Sequence, residues 1–127
     1  MPVIDKTILI IEDEKPLLLA ISRKLESSGF DVVTARSVEQ AIGYLEDLDP
    51  VDAIWLDHYL LGKLDGLDFL EQVKKSSWNK IPVFVVTNTG GEDKRSMYLQ
   101  FGATEYFIKS DYRLDTLIEN IKKEITG

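Results

Sequence analysis

The stretch that decides the fold of this chain is Val51-Asp52-Ala53-Ile54-Trp55-Leu56-Asp57. It is an apolar run that follows Pro50, ends in a carboxylate and gives way to an irregular loop. Short apolar runs of this kind are typical of strands that are buried on both faces of a parallel sheet. In open α/β sheets the ligand crevice lies beyond the carboxyl ends of the strands. We therefore expect a buried strand that presents Asp57 at the edge where such proteins bind ligands.

Strands and helices are predicted to alternate along the whole chain. The apolar runs predict strands over residues 7–12, 31–35, 51–57, 82–87 and 105–109. A helix is predicted after each strand from apolar residues spaced three and four apart. Pro16 suits the first turn of the first helix, Ser37 and Gln40 form a capping box for the second, and Asp111 is placed to cap the last.

Repeated strand-then-helix units imply a parallel sheet with right-handed crossovers, which place helices on both faces. The expected fold class is therefore α/β. We predict a doubly wound, flavodoxin-like sheet of five parallel strands in the order 2-1-3-4-5. The chain shows no repeat and no linker, so residues 1–127 are expected to form a single domain.

The composition excludes several classes of function. With 44% apolar and 29% charged residues the chain is globular in character. A formal charge of −7 argues against a surface for phosphate backbones, so no direct nucleic-acid partner is expected. The absence of cysteine excludes disulfides and thiolate metal sites. No apolar segment reaches membrane-spanning length, so we expect no membrane contact and a cytoplasmic location.

Chemically active side chains follow four of the predicted strands. They are Glu12 and Asp13, then Asp57, Thr87 and Lys109. Because the carboxyl ends of parallel strands meet at one edge, we expect these side chains to lie close together. Clustered carboxylates repel one another and call for a divalent cation, and a site with only oxygen ligands favours Mg²⁺. The lysine and the hydroxyl can bind phosphoryl oxygens, so Asp57 is a candidate nucleophile that becomes an aspartyl phosphate.

These motifs resemble the receiver domain of two-component response regulators. The resemblance covers nearly the whole chain. It rests on the apolar strand before Glu12-Asp13, the apolar strand before Asp57, and the runs Val85-Val86-Thr87 and Tyr106-Phe107-Ile108-Lys109.

The resemblance implies a phosphoprotein in which Asp57 is the phosphoacceptor and Thr87 and Lys109 assist the transfer. It implies that Mg²⁺ is held by Glu12, Asp13 and Asp57 together with the backbone carbonyl of Tyr59. Thr87 and Tyr106 would form the switch. On phosphorylation the Thr87 hydroxyl would be drawn to the phosphoryl group, and Tyr106 would turn inward into the space that this opens.

The same resemblance implies a role in phosphorelay signal transduction. The donor would be a histidine kinase or a histidine phosphotransfer protein, and a downstream protein would bind the face of helix four, strand five and helix five. The chain would assist its own phosphorylation and dephosphorylation without being a turnover enzyme. After Ile125 nothing remains to form an output domain, so if the chain is complete its output must be a change in binding.

The sequence departs from the family pattern at several positions. Ser110 stands where the family usually has a proline after a cis bond. A cis bond before serine costs about 3 kcal/mol, and the sequence leaves the isomer open, although a trans bond would shift the aim of Lys109. Leu61 replaces another proline, the loop before Asp65-Gly66 is about one residue longer than the pattern, and Asn88 replaces a small residue. These changes concern loop geometry and kinetics, since every reacting group is present.

Other interpretations compete with a phosphorylation switch. One is a receiver-like interaction module that never takes a phosphoryl group. Another is a Mg²⁺-dependent phosphatase, which is disfavoured because Tyr59 occupies the position of its second aspartate. Taken alone, Glu12 and Asp13 could be an acidic start to a helix. His58, the only histidine, is predicted to be structural, because along a strand its side chain points away from that of Asp57.

Two residues bear on how long a phosphoryl group would last. By the layout of the family, Tyr59 and Thr89 flank the approach of the hydrolytic water. Tyr59 is bulky and Thr89 carries no carboxylate or amide to orient that water. We therefore expect a phosphoryl state longer-lived than in receivers with an amide at the first position and an acid at the second.

Overall fold

The computed structural model describes residues 4–47, 50–88 and 91–126. Strands and helices alternate throughout these segments, as the sequence predicts. The strands are β1 (Thr7–Ile11), β2 (Asp31–Ala35), β3 (Ala53–Leu56), β4 (Val83–Thr87) and β5 (Glu105–Ile108). The helices are α1 (Lys15–Ser27), α2 (Val38–Asp47), α3 (Gly66–Lys74), α4 (Glu92–Gln100) and α5 (Leu114–Thr126), with a short 3-10 turn at Lys109–Asp111.

The strands form one parallel sheet in the order β2-β1-β3-β4-β5. The predicted fold class and strand order are confirmed. The predicted bounds of several strands were too long, and β3 loses Val51 and Asp52 at its start. Asp57 lies directly beyond β3, where its N–H still donates to the Ile11 carbonyl at 3.0 Å. The last ladder contact between the central strands therefore fixes the backbone of this aspartate.

Two apolar clusters cover the two faces of the sheet, since successive residues of a buried strand point to opposite sides. In β3, Ile54 and Leu56 belong to the cluster under α2 and α3, whereas Ala53 and Trp55 belong to the cluster under α1 and α5. Trp55 is fully buried, as predicted, and Trp78 is partly buried against the first cluster. The sheet is thus held rigidly from both sides.

The helix ends agree with the sequence at Pro16, agree in part at Ser37 and differ at Asp111. Pro16 lies in the first turn of α1, and Ser37 Oγ accepts from Gln40 N at 3.1 Å. Gln40 Oε1 accepts from the Arg36 amide at 2.8 Å, one residue before the amide that a capping box uses, so the predicted box is only half formed. The prediction that Asp111 caps the last helix was wrong, because the chain first makes a 3-10 turn and α5 begins only at Leu114.

Leu48, predicted to lie on the inner face of the second helix, falls outside the described residues. Within the segments that are described, no helix combines the length and the apolar character needed to cross a membrane.

Candidate functional site

The carboxyl edge of the sheet brings the predicted side chains together. Glu12 follows β1 and is 1% exposed, and Asp57 follows β3 and is 5% exposed. Thr87 is the fully buried last residue of β4, and Lys109 follows β5. Polar groups buried this deeply are retained in proteins only where partners satisfy them.

Lys109 bridges the two buried acids. Its Nζ donates to Glu12 Oε1 at 2.6 Å and to Asp57 Oδ2 at 3.3 Å. The other oxygen of each acid accepts from the backbone, Glu12 Oε2 from Glu14 N at 3.1 Å and Asp57 Oδ1 from His58 N at 2.8 Å. The Asp57 carboxylate is therefore held at both oxygens and has a defined orientation.

The peptide bond between Lys109 and Ser110 is trans, because no cis bond occurs in the described parts of the chain. The sequence had left this isomer open. The trans bond enters the 3-10 turn at Lys109–Asp111, and from there the lysine still reaches Asp57. The departure at Ser110 therefore does not misdirect Lys109.

Three carboxylates meet at this edge with a spacing that suits one cation. Glu12, Asp13 and Asp57 each offer an oxygen, and these oxygens lie within 4.8 Å of one another. Lys109 pairs with two of these acids, and hard oxygen ligands are those that Mg²⁺ prefers. The residues present therefore fit the cation that the sequence predicts. They open into a cleft that Glu14 and Asn88 also line.

Burial and neighbouring charges shift the pKa values of Glu12 and Lys109. Burial raises the pKa of Glu12 to about 7, the hydrogen bond from Lys109 opposes that rise, and the charge of Asp57 adds to it. Burial acts to lower the pKa of Lys109, but the bond to Glu12 and the charge of Asp57 outweigh it, so that pKa is raised. The lysine therefore stays charged, and Glu12 exchanges its proton near neutral pH.

Of Tyr59 and Thr89, the two residues expected to flank the hydrolytic water, the structure describes only Tyr59. The Tyr59 side chain is 62% exposed and its ring meets that of His58 edge-on at 4.8 Å. Thr89 lies outside the described residues. The roles of both stay predictions.

Tyr98 is the residue of this region that the sequence reasoning missed. It is fully buried on α4, and its hydroxyl lies 2.6 Å from His58 Nδ1. Burial raises the pKa of Tyr98, and it lowers that of His58, so the tyrosine keeps its proton and the imidazole is neutral. The hydroxyl and Nδ1 share a hydrogen bond whose direction depends on the histidine tautomer, and Nε2 lies 3.7 Å from Asp65 Oδ2. His58 is buried and bonded, as its predicted structural role requires.

The sequence contains a weak signal for this packing. Asp65 and Asp68 form a capping box at the start of α3, with bonds of 2.9 and 3.0 Å. A Cβ on Gly66 would lie 2.5 Å from the Asp57 carbonyl oxygen and 2.6 Å from Tyr98 Oη. Only glycine fits there, so the Asp-Gly pair marks a close approach that its sequence alone does not locate.

Comparison with known proteins supplies the family. The sequence profile described as "Response regulator receiver domain" matches residues 8–122. This chain belongs to the response regulator receiver domain family. Receiver domains are signalling switches of two-component systems, so the resemblance on which the site was interpreted is confirmed.

Among its relatives, this receiver domain is 34% identical to the phosphate regulon transcriptional regulatory protein PhoB of Pseudomonas aeruginosa, over 84% of the chain and 46% of the relative. It is 33% identical to the alkaline phosphatase synthesis transcriptional regulatory protein PhoP of Bacillus subtilis, over 83% of the chain and 42% of the relative. The chain thus spans less than half the length of these proteins.

Solved structures agree with this fold. The phosphorylated cyanobacterial phytochrome response regulator RcpA matches with a TM-score of 0.86 and 26% identity, over 98% of this chain and 96% of that one. The Mn²⁺-bound form of response regulator Rcp1 matches with a TM-score of 0.80 and 26% identity, over 93% and 92%. Both are receiver-type neighbours of nearly the same length as this chain.

Proposed function

We propose that this receiver domain accepts a phosphoryl group on Asp57 in a Mg²⁺-dependent reaction and thereby changes its binding to a partner protein. The observation that carries the proposal is the bridge from Lys109 to Asp57 beside two further acids. The donor is a histidine kinase or a histidine phosphotransfer protein. The similarity to RcpA, which was solved in a phosphorylated form, supports this assignment.

The chemistry needs one bond to form and one to break. An oxygen of the Asp57 carboxylate attacks phosphorus, and the bond from phosphorus to the donor's imidazole nitrogen breaks, leaving its electron pair on that nitrogen. Lys109 offsets the negative charge of the phosphoryl oxygens, as a fixed cation does in such transfers. Mg²⁺, held by Glu12, Asp13, Asp57 and the carbonyl of Tyr59, would supply further charge neutralisation.

The switch couples this site to the face formed by α4, β5 and α5. The Thr87 hydroxyl moves to bind the phosphoryl group, and the Tyr106 ring turns inward into the space that the hydroxyl leaves. Tyr106 is only 4% exposed in this structure, so its ring already occupies the inward position that was expected to follow phosphorylation. Phosphorylation then acts by increasing the population of the inward state.

The downstream partner is a protein that binds the face formed by α4, β5 and α5. Met97, Leu99 and Phe101, on or directly after α4, are each at least 40% exposed, which supports a protein-binding surface there. The predicted absence of direct nucleic-acid contact stays a prediction, since the named relatives are longer transcriptional regulatory proteins. The cytoplasmic location stays a prediction as well.

The inward Tyr106 also favours the second candidate function, an interaction module that holds one state without phosphorylation. The two candidates differ in whether Asp57 reacts. After treatment with acetyl phosphate, ³¹P NMR should show one acyl-phosphate resonance in the presence of Mg²⁺ and none after chelation. The same treatment of Asp57→Asn should give no resonance. A parent protein that stays unmodified with Mg²⁺ present would favour the interaction module.

A further inference from the structure

The buried Tyr98 contacts both ends of the proposed switch. Its hydroxyl bonds His58, the residue after the acceptor, at 2.6 Å. Its ring lies 5.6 Å from that of Tyr106, inclined at 41°. Neither contact involves Thr87, so these contacts link the residue after Asp57 to Tyr106 without the proposed switch hydroxyl.

At the acceptor end, this chain of contacts begins on the reacting carboxylate itself. The His58 amide donates to Asp57 Oδ1 at 2.8 Å. The carbonyl of His58 accepts from Gly66 N at 2.8 Å, which ties the residue to the start of α3. A change at Asp57 Oδ1 therefore acts directly on the amide of His58.

Between His58 and Tyr98, the space around Gly66 is closely packed. The space above Gly66 is filled by Tyr98 Oη and the Asp57 carbonyl oxygen, both within 2.6 Å of where a Cβ would stand. Close-packed interiors transmit displacements, because no void absorbs them. A shift of His58 must therefore move Tyr98 or break its hydrogen bond.

At the Tyr106 end of this chain of contacts, two residues of α4 contact Tyr106 of β5. The ring of Tyr98 packs on the ring of Tyr106, and Arg95 Nη1 donates to the Tyr106 carbonyl at 3.0 Å. Arg95 and Tyr98 lie three apart on α4, so they share one side of the helix. A displacement of that side reaches both the ring and the backbone of Tyr106.

We infer that Tyr98 is a positioning residue that, through His58, couples the state of the Asp57 carboxylate to the position of Tyr106. The inference rests on the proposed function. Phosphorylation turns the carboxylate into an acyl phosphate, whose remaining carbonyl oxygen is a weaker acceptor for the His58 amide than an ionised oxygen. The loosened amide lets His58 move, and Tyr98 carries that movement to Tyr106.

The test uses fluoroberyllate, a stable mimic of the phosphoryl group, with Mg²⁺ and amide NMR. In the parent, saturation should shift the amides of Arg95 and Tyr106. In Tyr98→Phe, which keeps the ring and removes the hydroxyl, these shifts should fall to about half or less, because the populations of the two states are no longer coupled as strongly. Tyr44→Phe is the matched control, since its hydroxyl makes only an exposed contact at 3.4 Å.

A second variant separates coupling from a general loss of stability. His58→Leu should reduce the same shifts, and the double variant should reduce them no further, since both changes break one contact. Phe69→Leu, in the core cluster that contains Tyr98, should lower stability and leave the shifts at the parent size.

The outcomes are distinct. Full-sized shifts at Arg95 and Tyr106 in a saturated Tyr98→Phe overturn the inference and leave the proposed function intact. Equal losses in Tyr98→Phe and Phe69→Leu also overturn it, because the role would then be structural alone. A parent that fails to bind fluoroberyllate contradicts the proposed function itself.

Discussion

The two ends of β3 each carry an aspartate that pairs with a lysine, and the pairs differ in burial. At the amino end, Lys6 and Asp52 are 4.0 Å apart, with side chains 42% and 32% exposed. At the carboxyl end, Lys109 and Asp57 are 3.3 Å apart, with side chains 17% and 7% exposed. The same two residue types thus occur in two different environments.

The two pairs differ mainly in how far water can screen their charges. Exposed ion pairs are screened by water and contribute little, and Asp52 also has a structural partner in the Thr7 amide at 2.8 Å. A buried cluster loses hydration, so its charges depend on one another and on whatever ion or group enters. The carboxyl end therefore suits a reaction that changes charge.

The largest expected effect comes from removing the lysine charge at the carboxyl end. Lys109→Met keeps the length of the side chain and should slow phosphorylation by acetyl phosphate about 100-fold, the usual cost of losing one group that stabilises developing charge. Lys6→Met is the matched change at the amino end and should phosphorylate at the parent rate. Equal rates for both variants would remove the distinction between the two ends.

The next effect is a pH dependence of stability that belongs to Glu12. Its pKa is about 7 in the folded protein, against 4.5 for an unperturbed glutamate, so the native state binds the extra proton between these values. Without a divalent cation, the free energy of unfolding should therefore fall by about 3 kcal/mol from this residue as pH rises from 4.5 to 7, and stay level above. Urea denaturation at several pH values measures it.

Glu12→Gln is the matched variant. Because its side chain cannot ionise, its free energy of unfolding should not show this fall as pH rises. Asp52→Asn, at the exposed end, should keep the parent slope. If Glu12→Gln and the parent change in parallel with pH, the buried acid is not what titrates.

A smaller effect is expected on the lifetime of the phosphoryl group. Replacing Tyr59 with asparagine and Thr89 with glutamate supplies an amide and an acid to orient water, and should speed loss of phosphate about tenfold, which corresponds to about 1.4 kcal/mol of barrier. Phosphate release after removal of the donor gives the rate, and Tyr44→Asn serves as a control. A double variant no faster than the parent would contradict the assigned role of these positions.

The smallest effect belongs to the exposed pair. Lys6→Met should change the free energy of unfolding by no more than about 0.5 kcal/mol, as is usual for surface ion pairs. Chemical denaturation at low and high salt checks this. A loss several times larger would mean that the amino end depends on its charges as much as the carboxyl end does.

The sequence predicted what depends on local pattern. The apolar runs located five strands, and the polar residues at their ends gave a site that the structure assembles. The strand order lay beyond this pattern and came from the common arrangement of doubly wound sheets. The ends of elements were less accurate. Asp111 has the chemistry of a cap, but the turn at Lys109–Asp111 delays the start of α5.

What the sequence could not predict depends on contacts between distant residues. Tyr98 lies on α4, which has no clear apolar stripe, so nothing local distinguishes it from an exposed tyrosine. Its burial results from the meeting of α4 with His58, forty positions earlier, over a glycine that leaves room for the hydroxyl. The raised pKa of Glu12 likewise follows from burial and from the charge of Asp57, which only the fold brings next to it.

The central claim is that Asp57, the buried aspartate at the carboxyl end of β3, is the phosphoacceptor. Intact-mass measurement after acetyl phosphate and Mg²⁺ treatment tests it most directly in the parent, Asp57→Asn and Asp52→Asn. We predict one added phosphoryl group in the parent and in Asp52→Asn, and none in Asp57→Asn or after chelation. Equal incorporation in Asp57→Asn and the parent would contradict the claim.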